Sequence, residues 1–343
     1  MVEQILAGMR SGRPLVGPRQ VHIDITNSCN TACVTCWDHS PFLNQPRSTE
    51  WKRKRMPLER FQRLLEQLDR LGSVREVVLS GMGEPLTHPD VYTMIAAIKA
   101  RGWGLMIITN LLAADIEALA GSGVDQLLVG VQGVSPDSYA AFHPGWNEVH
   151  FFKLCAHLRR LQRTKIRVRH VQVIDRNTAP EVVEMVSFAR SFGAERLNYK
   201  LAGLAKGTEA TAMTEEQRQW LLEAALPEAA AQAERQKVKT NLSLFEQQLR
   251  SGGRSTAPIA EIGCAMGYVY TRITVDEEVL YCCNTNVKVG SLQEGELPEL
   301  WWGPRWQALR DHLASGRYFA GCDQCGKLEQ NLKWRDRLAD THV

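Results

Sequence analysis

The stretch VHIDITNSCNTACVTC, residues 21–36, decides the fold. Residues 21–26 alternate apolar and polar side chains, as a strand does. Asn27 and Ser28 then open a loop that carries Cys29, Cys33 and Cys36. Three thiolates on one short loop can hold three corners of a cubane iron–sulfur cluster and leave the fourth iron open to a ligand. The spacing alone also permits a zinc site, to which His39 could add a ligand.

Downstream of this loop, strand-like and helix-like runs alternate. Residues 57–71 place Leu58, Phe61, Leu64, Leu65, Leu68 and Leu71 at helical spacing. Residues 74–80 form a β-rich run ended by glycines. Helices are expected at 90–100, 113–120, 146–163 and 180–192, and strands at 104–109, 125–131, 166–174 and 196–201. Six β-then-α units imply a parallel sheet. Eight would close a barrel, so six suggest an incomplete one. The fold class expected is therefore α/β, a partial (β/α)6 TIM-like barrel, followed by a small α+β domain. Its parts are an N-terminal extension (1–20), the barrel core (21–205), a helical linker region (206–258), a cysteine-bearing domain (259–327) and a closing helix (328–343).

Composition narrows the function classes. The chain has 343 residues, 44% apolar and 23% charged, which is ordinary for a folded protein and excludes disorder as its main state. A net charge of +3 gives no polyanion footprint, so no nucleic-acid partner is expected. No apolar run reaches about 18 residues, and the first 20 residues lack a secretory h-region. Nine cysteines, an odd number, argue for reduced metal-binding thiols in a cytoplasm over a secreted disulfide framework.

A second motif follows the second strand: Ser80-Gly81-Met82-Gly83-Glu84-Pro85. With CxxxCxxC after the first strand, it resembles the radical S-adenosylmethionine (SAM) superfamily over roughly residues 20–201. Thr35 stands where that family often has an aromatic residue. The resemblance implies that Cys29, Cys33 and Cys36 ligate a [4Fe–4S] cluster whose open iron chelates SAM. It implies Gly83 and Glu84 at the SAM amino group, Asn110 and Gln132 at its ribose or methionyl part, and Arg169 at its carboxylate. It also implies reductive cleavage of SAM to a 5′-deoxyadenosyl radical that abstracts a substrate hydrogen, with an electron donor such as flavodoxin or ferredoxin.

Cys264-x17-Cys282 and Cys322-x2-Cys325 read by themselves as a four-thiolate zinc ribbon. Beside such a core they resemble the superfamily's SPASM/twitch extension, in its four-cysteine twitch form with one auxiliary [4Fe–4S] cluster. The twitch-type dehydrogenase of an aminocyclitol is similar in count and spacing. That implies net oxidation of a small polar metabolite such as a sugar or cyclitol, with the auxiliary cluster as electron acceptor. The alternatives are maturation of a ribosomally made peptide and a redox-neutral epimerisation. No leader-binding domain is expected ahead of residue 21, which weighs against the peptide reading. Strand alternation favours Cys282 as ligand and turns Cys283 elsewhere, making it the candidate hydrogen-atom donor. Cys155 reads as core, the basic run 52–55 as a solvated loop, and Trp301, Trp302 and Trp306 as packing.

Overall fold

The structure, a computed structural model, describes residues 1–340, without the side chains of Glu261 and Ile262. The last three residues of the helix expected over 328–343 lie outside the described residues. The strands are β1 (Gln20–Thr26), β2 (Glu76–Gly81), β3 (Gly104–Thr109), β4 (Gln126–Gly130), β5 (Arg167–Ile174), β6 (Arg196–Leu201), β7 (Lys239–Thr240), β8 (Tyr270–Ile273), β9 (Glu278–Leu280) and β10 (Lys288–Ser291). They form one sheet in the order β10-β9-β8-β1-β2-β3-β4-β5-β6-β7. From β8 to β7 every pairing is parallel; β9 and β10 are antiparallel additions.

Both faces of β1 are covered, as a central parallel strand requires. Val21, Ile23 and Ile25 join the main core with Phe61, Leu64, Leu65 and Leu68 of the helix Leu58–Leu71. His22, Asp24 and Thr26 turn to the inner face and are also buried.

The six expected strands are present, and the sheet exceeds them at both ends. Residues 206–258, read as a helical linker, supply β7 beside β6. Leu221, Leu226, Ala229 and Phe245 of that segment build a second apolar cluster with Leu197 and Tyr199. The cysteine-bearing region continues the sheet, because β8 lies parallel to β1 with Gln20 opposite Tyr270. A two-residue strand and a pairing over more than 200 residues leave no local pattern to read. The helices Val2–Ser11 and Pro136–Phe142 were also not expected.

The C-terminal helix, Leu328–Asp340, crosses the N-terminal ends of the strands. Gln330 donates to Gln20 of β1 at 3.2 Å, and Arg196 of β6 pairs with Glu329 at 2.7 Å. Among the described residues no helix is long and apolar enough to cross a membrane.

Candidate functional site

The first thiol group stands where β1 ends. The Cys29 thiol is pushed up to about 12, first by burial, then by Glu84 and Cys36. Burial also raises Cys33 and Cys36, and Cys36 and Cys29 add to the rise at Cys33. Buried thiols that raise one another fit a cationic centre that replaces their protons. The backbone N–H of His39 donates to the Cys36 sulfur at 3.3 Å, as an outer shell does for a cluster ligand.

The turn after β2 is pinned against this loop. The Glu84 N–H donates to the Ser28 carbonyl at 2.8 Å, and Thr87 Oγ1 donates to the same oxygen at 3.2 Å. A Cβ on Gly83 would overlap the Ser28 carbonyl oxygen and the Asn27 carbonyl carbon, so the backbone approach requires glycine.

Glu84 is 3% exposed. Its Oε1 accepts from Thr109 Oγ1 at 2.6 Å and from Leu86 N–H at 3.1 Å; its Oε2 accepts from Asn110 N–H at 2.7 Å. Burial nonetheless lifts its carboxyl to about 7. Asn110 Nδ2 then donates to Asn30 of the thiol loop at 2.8 Å. Glu84, Asn110 and the three cysteines are thus brought together. Thr109 and Asn30, which sequence reading passed over, complete the connection; a polar residue ending an apolar strand was the available signal.

Gln132 lies just past the end of β4 with φ 54, left-handed, and its side chain accepts from Val173 N–H at 3.4 Å. Arg169 is not brought to this end. It is the third residue of a long strand, opposite Leu128 and Arg196, and its Nε donates to Glu195 at 3.0 Å. It lines a cleft of about 420 Å³ with Arg19, Arg75 and Glu76, at the N-terminal ends of the strands. Placing Arg169 by strand and not by position within the strand caused the difference.

The second thiol group gathers Cys264, Cys282, Cys322 and Cys325. Cys264 is pushed up to about 12 by burial, then by Cys325 and Cys322. Asn284 N–H donates to the Cys282 sulfur at 3.4 Å. Asn331 is fully buried and lies between Cys264 and Cys325, with Sγ–Oδ1 and Nδ2–Sγ separations of 3.7 and 3.9 Å. This donor set fits a cluster held by four cysteines. Among the described residues no group of His, Cys, Asp or Glu is drawn to the tighter frame of a single metal ion.

Cys283 does not turn away from this group. β9 stops at Leu280, and the chain bends through residues 281–283, so strand alternation no longer applies. The Cys282 and Cys283 thiols hydrogen-bond each other, and Cys283 also acts electrostatically on Cys322 and Cys325. That contact, with Lys327, Arg272 and Lys200, holds the Cys283 thiol below its ordinary value against burial.

A buried polar network runs from β2 through β1 and β8 to the second thiol group. Arg272 donates from Nε to Asp24 at 2.8 Å and from a terminal nitrogen to the Cys283 carbonyl at 3.4 Å. Ser80 Oγ donates to Asp24 at 3.2 Å and hydrogen-bonds His22, which in turn meets the Tyr270 hydroxyl at 3.0 Å. Burial holds His22 neutral, down to about 4. Asp24, an acid inside an otherwise strand-like run, was the legible sign of this network. The basic run is less free than expected: Lys54 pairs with Asp276 at 2.9 Å. Cys155, Trp301 and Trp306 are buried in the core.

Comparison with known proteins follows this geometry. The profile of the radical SAM superfamily matches residues 23–189, and that of the SPASM iron–sulfur cluster-binding domain matches 264–326. A PqqA peptide cyclase of Xanthomonas campestris is 27% identical over 186 residues, 52% of this chain and 46% of that protein. A tungsten-containing aldehyde ferredoxin oxidoreductase cofactor-modifying protein of Pyrococcus furiosus is 28% identical over 112 residues, 31% of this chain and 29% of that one. The chain thus spans less than half the length of these curated relatives. The crystal structure of Streptococcus suis SuiB with S-adenosylmethionine aligns with a TM-score of 0.64 at 18% identity, over 94% of this chain and 74% of that one, which shows the fold.

Proposed function

The chain belongs to the radical SAM superfamily and carries a SPASM-type iron–sulfur extension, and from that premise we propose that it oxidatively modifies a peptide. The observation that carries the oxidative part of this reading is a second thiol group beside the same sheet. β1 ends at the first group, and the second lies toward the opposite, N-terminal end of its neighbour β8, where β9 returns the chain to Cys282. When loaded, the first cluster with SAM supplies a hydrogen-abstracting 5′-deoxyadenosyl radical, and the second supplies an electron acceptor.

The chain's own residues would do the rest. Cys29, Cys33 and Cys36 hold the first cluster. The turn at Gly83 and Glu84 receives the SAM amino group. The Glu84 oxygens already accept three donors, so its main work is to orient that turn and Asn110. Gln132 lines the same strand ends, and Arg169 is withdrawn from the SAM site. Cys264, Cys282, Cys322 and Cys325 hold the auxiliary cluster. The electron donor is a low-potential flavodoxin or ferredoxin in a reducing cytoplasm.

The peptide reading rests on the PqqA peptide cyclase likeness, which spans about half of this chain. A second reading, dehydrogenation of a sugar or cyclitol, is favoured by the count of thiols, which suits one auxiliary cluster. A third, epimerisation with Cys283 as hydrogen donor, is disfavoured by the place of its sulfur against Gly326, next to Cys325 in the second thiol group.

The test uses anaerobically reconstituted protein with SAM, dithionite and a short peptide encoded beside its gene. Formation of 5′-deoxyadenosine with loss of two hydrogens from the peptide is expected. Loss of two hydrogens from a cyclitol, with the peptide untouched, would overturn the peptide reading. Deuterium uptake from heavy water into the peptide at unchanged oxidation level would point to epimerisation.

A further inference from the structure

The auxiliary thiols are ringed by side chains that no ligand role requires. We infer that Lys327 and Asn331, one turn apart where the C-terminal helix begins, raise the reduction potential of the auxiliary cluster and so make it an electron acceptor. The inference rests on the reading of Cys264, Cys282, Cys322 and Cys325 as cluster ligands. Cluster potential is set by net charge, by hydrogen bonds to the sulfurs and by solvent exposure, and these two residues act on the first two.

Asn331 contributes the hydrogen bond. Its Oδ1 accepts from Ala265 N–H at 2.9 Å, which fixes the amide so that Nδ2 faces the Cys325 sulfur. A reversed amide would set two donors against each other at Ala265. In the orientation present Oδ1 faces the Cys264 sulfur at 3.7 Å, so once Cys264 is a thiolate the stabilising contact is that of Nδ2 with Cys325 alone. A donor to a thiolate stabilises the more negative, reduced cluster.

Lys327 contributes the charge. Its Nζ sits 4.1 Å from the centroid of the Tyr270 ring. Among the described residues no carboxylate lies within ion-pair distance of it; Cys283 and Cys282 act on it electrostatically, ahead of the more distant Glu76. Arg272, the other cation here, already has Asp24 as partner at 2.8 Å. A half-buried ammonium without a carboxylate is costly unless something anionic arrives beside it. Four cysteine thiolates on a cluster meet that need, most strongly when the cluster is reduced. A bare packing role for Lys327 would not call for a charge at this position.

The experiment follows potential, not turnover. The full chain with Cys29, Cys33 and Cys36 replaced by alanine is reconstituted, and its remaining cluster is titrated by electron paramagnetic resonance. In that background Lys327→Gln should retain its iron and lower the reduced-to-oxidised ratio about tenfold at fixed potential, a shift of about 59 mV for one electron. Lys327→Arg should restore most of the shift. Asn331→Leu should move the midpoint in the same direction. Unchanged midpoints with iron retained overturn the inference and leave the cluster reading standing. A parent without iron overturns the cluster reading itself, and the inference with it. If Asn331→Leu loses its iron, the Lys327 pair alone decides.

Discussion

The two thiol groups are built in opposite ways. The first comes from eight consecutive residues, 29–36, on one loop, and its partners are backbone groups and a turn pressed against it. The second is assembled from three segments between residues 264 and 325 and is completed by Asn331 from a helix. A local loop needs only its strand to be in place. A dispersed group needs the whole C-terminal third to fold around it, so it depends far more on packing at a distance.

That contrast can be broken most sharply by removing one group at a time. Replacing Cys29, Cys33 and Cys36 by alanine should abolish 5′-deoxyadenosine formation while about half the iron stays. Replacing Cys322 and Cys325 should leave SAM cleavage near its normal rate and remove the other half. Iron counts and product assays on both variants check this. Loss of all iron from the Cys322 and Cys325 variant would show that the first group depends on the second; a triple variant without iron would mean that the second group holds no cluster.

Glycine substitutions should separate them next. Gly83→Ala drives a methyl into backbone atoms of Asn27 and Ser28, which cannot yield. We expect loss of SAM binding and roughly 3 kcal/mol or more of stability. Gly326→Ala, in the second group, meets only the Cys283 sulfur at 3.0 Å, the movable end of a side chain. It should keep its iron and lose little stability. Denaturation of both variants gives the ranking.

The buried network on β1 and β8 touches only the second group, through the Cys283 carbonyl, and tests that one-sidedness. Asp24→Asn leaves Arg272 buried without its counter-charge, and breaking such a pair costs about 3–5 kcal/mol. Denaturant midpoints should fall, and the second group should lose iron more readily than the first, since Arg272 also holds the Cys283 carbonyl.

The smallest effect concerns acid. Burial holds His22, His143 and His170 down to about 4. Their depressed values mean that the unfolded chain binds protons below about 6.5 while the native one refuses them until about 4. The histidines' contribution to the apo-protein's stability should be full above pH 6.5 and fall as pH drops toward 4, offset in part by Glu84, whose raised carboxyl takes up its proton first in the native state. His170, both of whose ring nitrogens are buried without a partner, lies on the outer side of β5 against Phe188, outside the network of His22. His170→Leu should therefore flatten part of the acid slope and raise neutral-pH stability by about 1 kcal/mol. A proportional loss at the first thiol group would contradict that separation.

Legibility followed the same division. Cys29, Cys33, Cys36, Gly83 and Glu84, which the structure brings together, each sit in a short motif at a strand end and could be picked out from the sequence. Asn110 was readable as a polar residue ending β3. Arg169 misled because a strand assignment does not say which end a residue occupies. Cys283 misled because alternation was carried past Leu280, where β9 had already stopped. Lys327 and Asn331 follow the last cysteines and carry no motif, so only the packing of the helix Leu328–Asp340 reveals them.

By itself, then, the sequence determined the barrel type, both thiol groups and the class of chemistry, because strand periodicity and motif spacing are local properties of the chain. Only the tertiary structure decided that β8 joins β1, that Arg272 meets Asp24, that Cys283 faces the other thiols, and that one helix crosses the N-terminal ends of the strands. Those contacts join residues up to about 300 positions apart, from Gln20 to Gln330. Their formation depends on how buried surfaces and charges fit together, which no window along the chain contains.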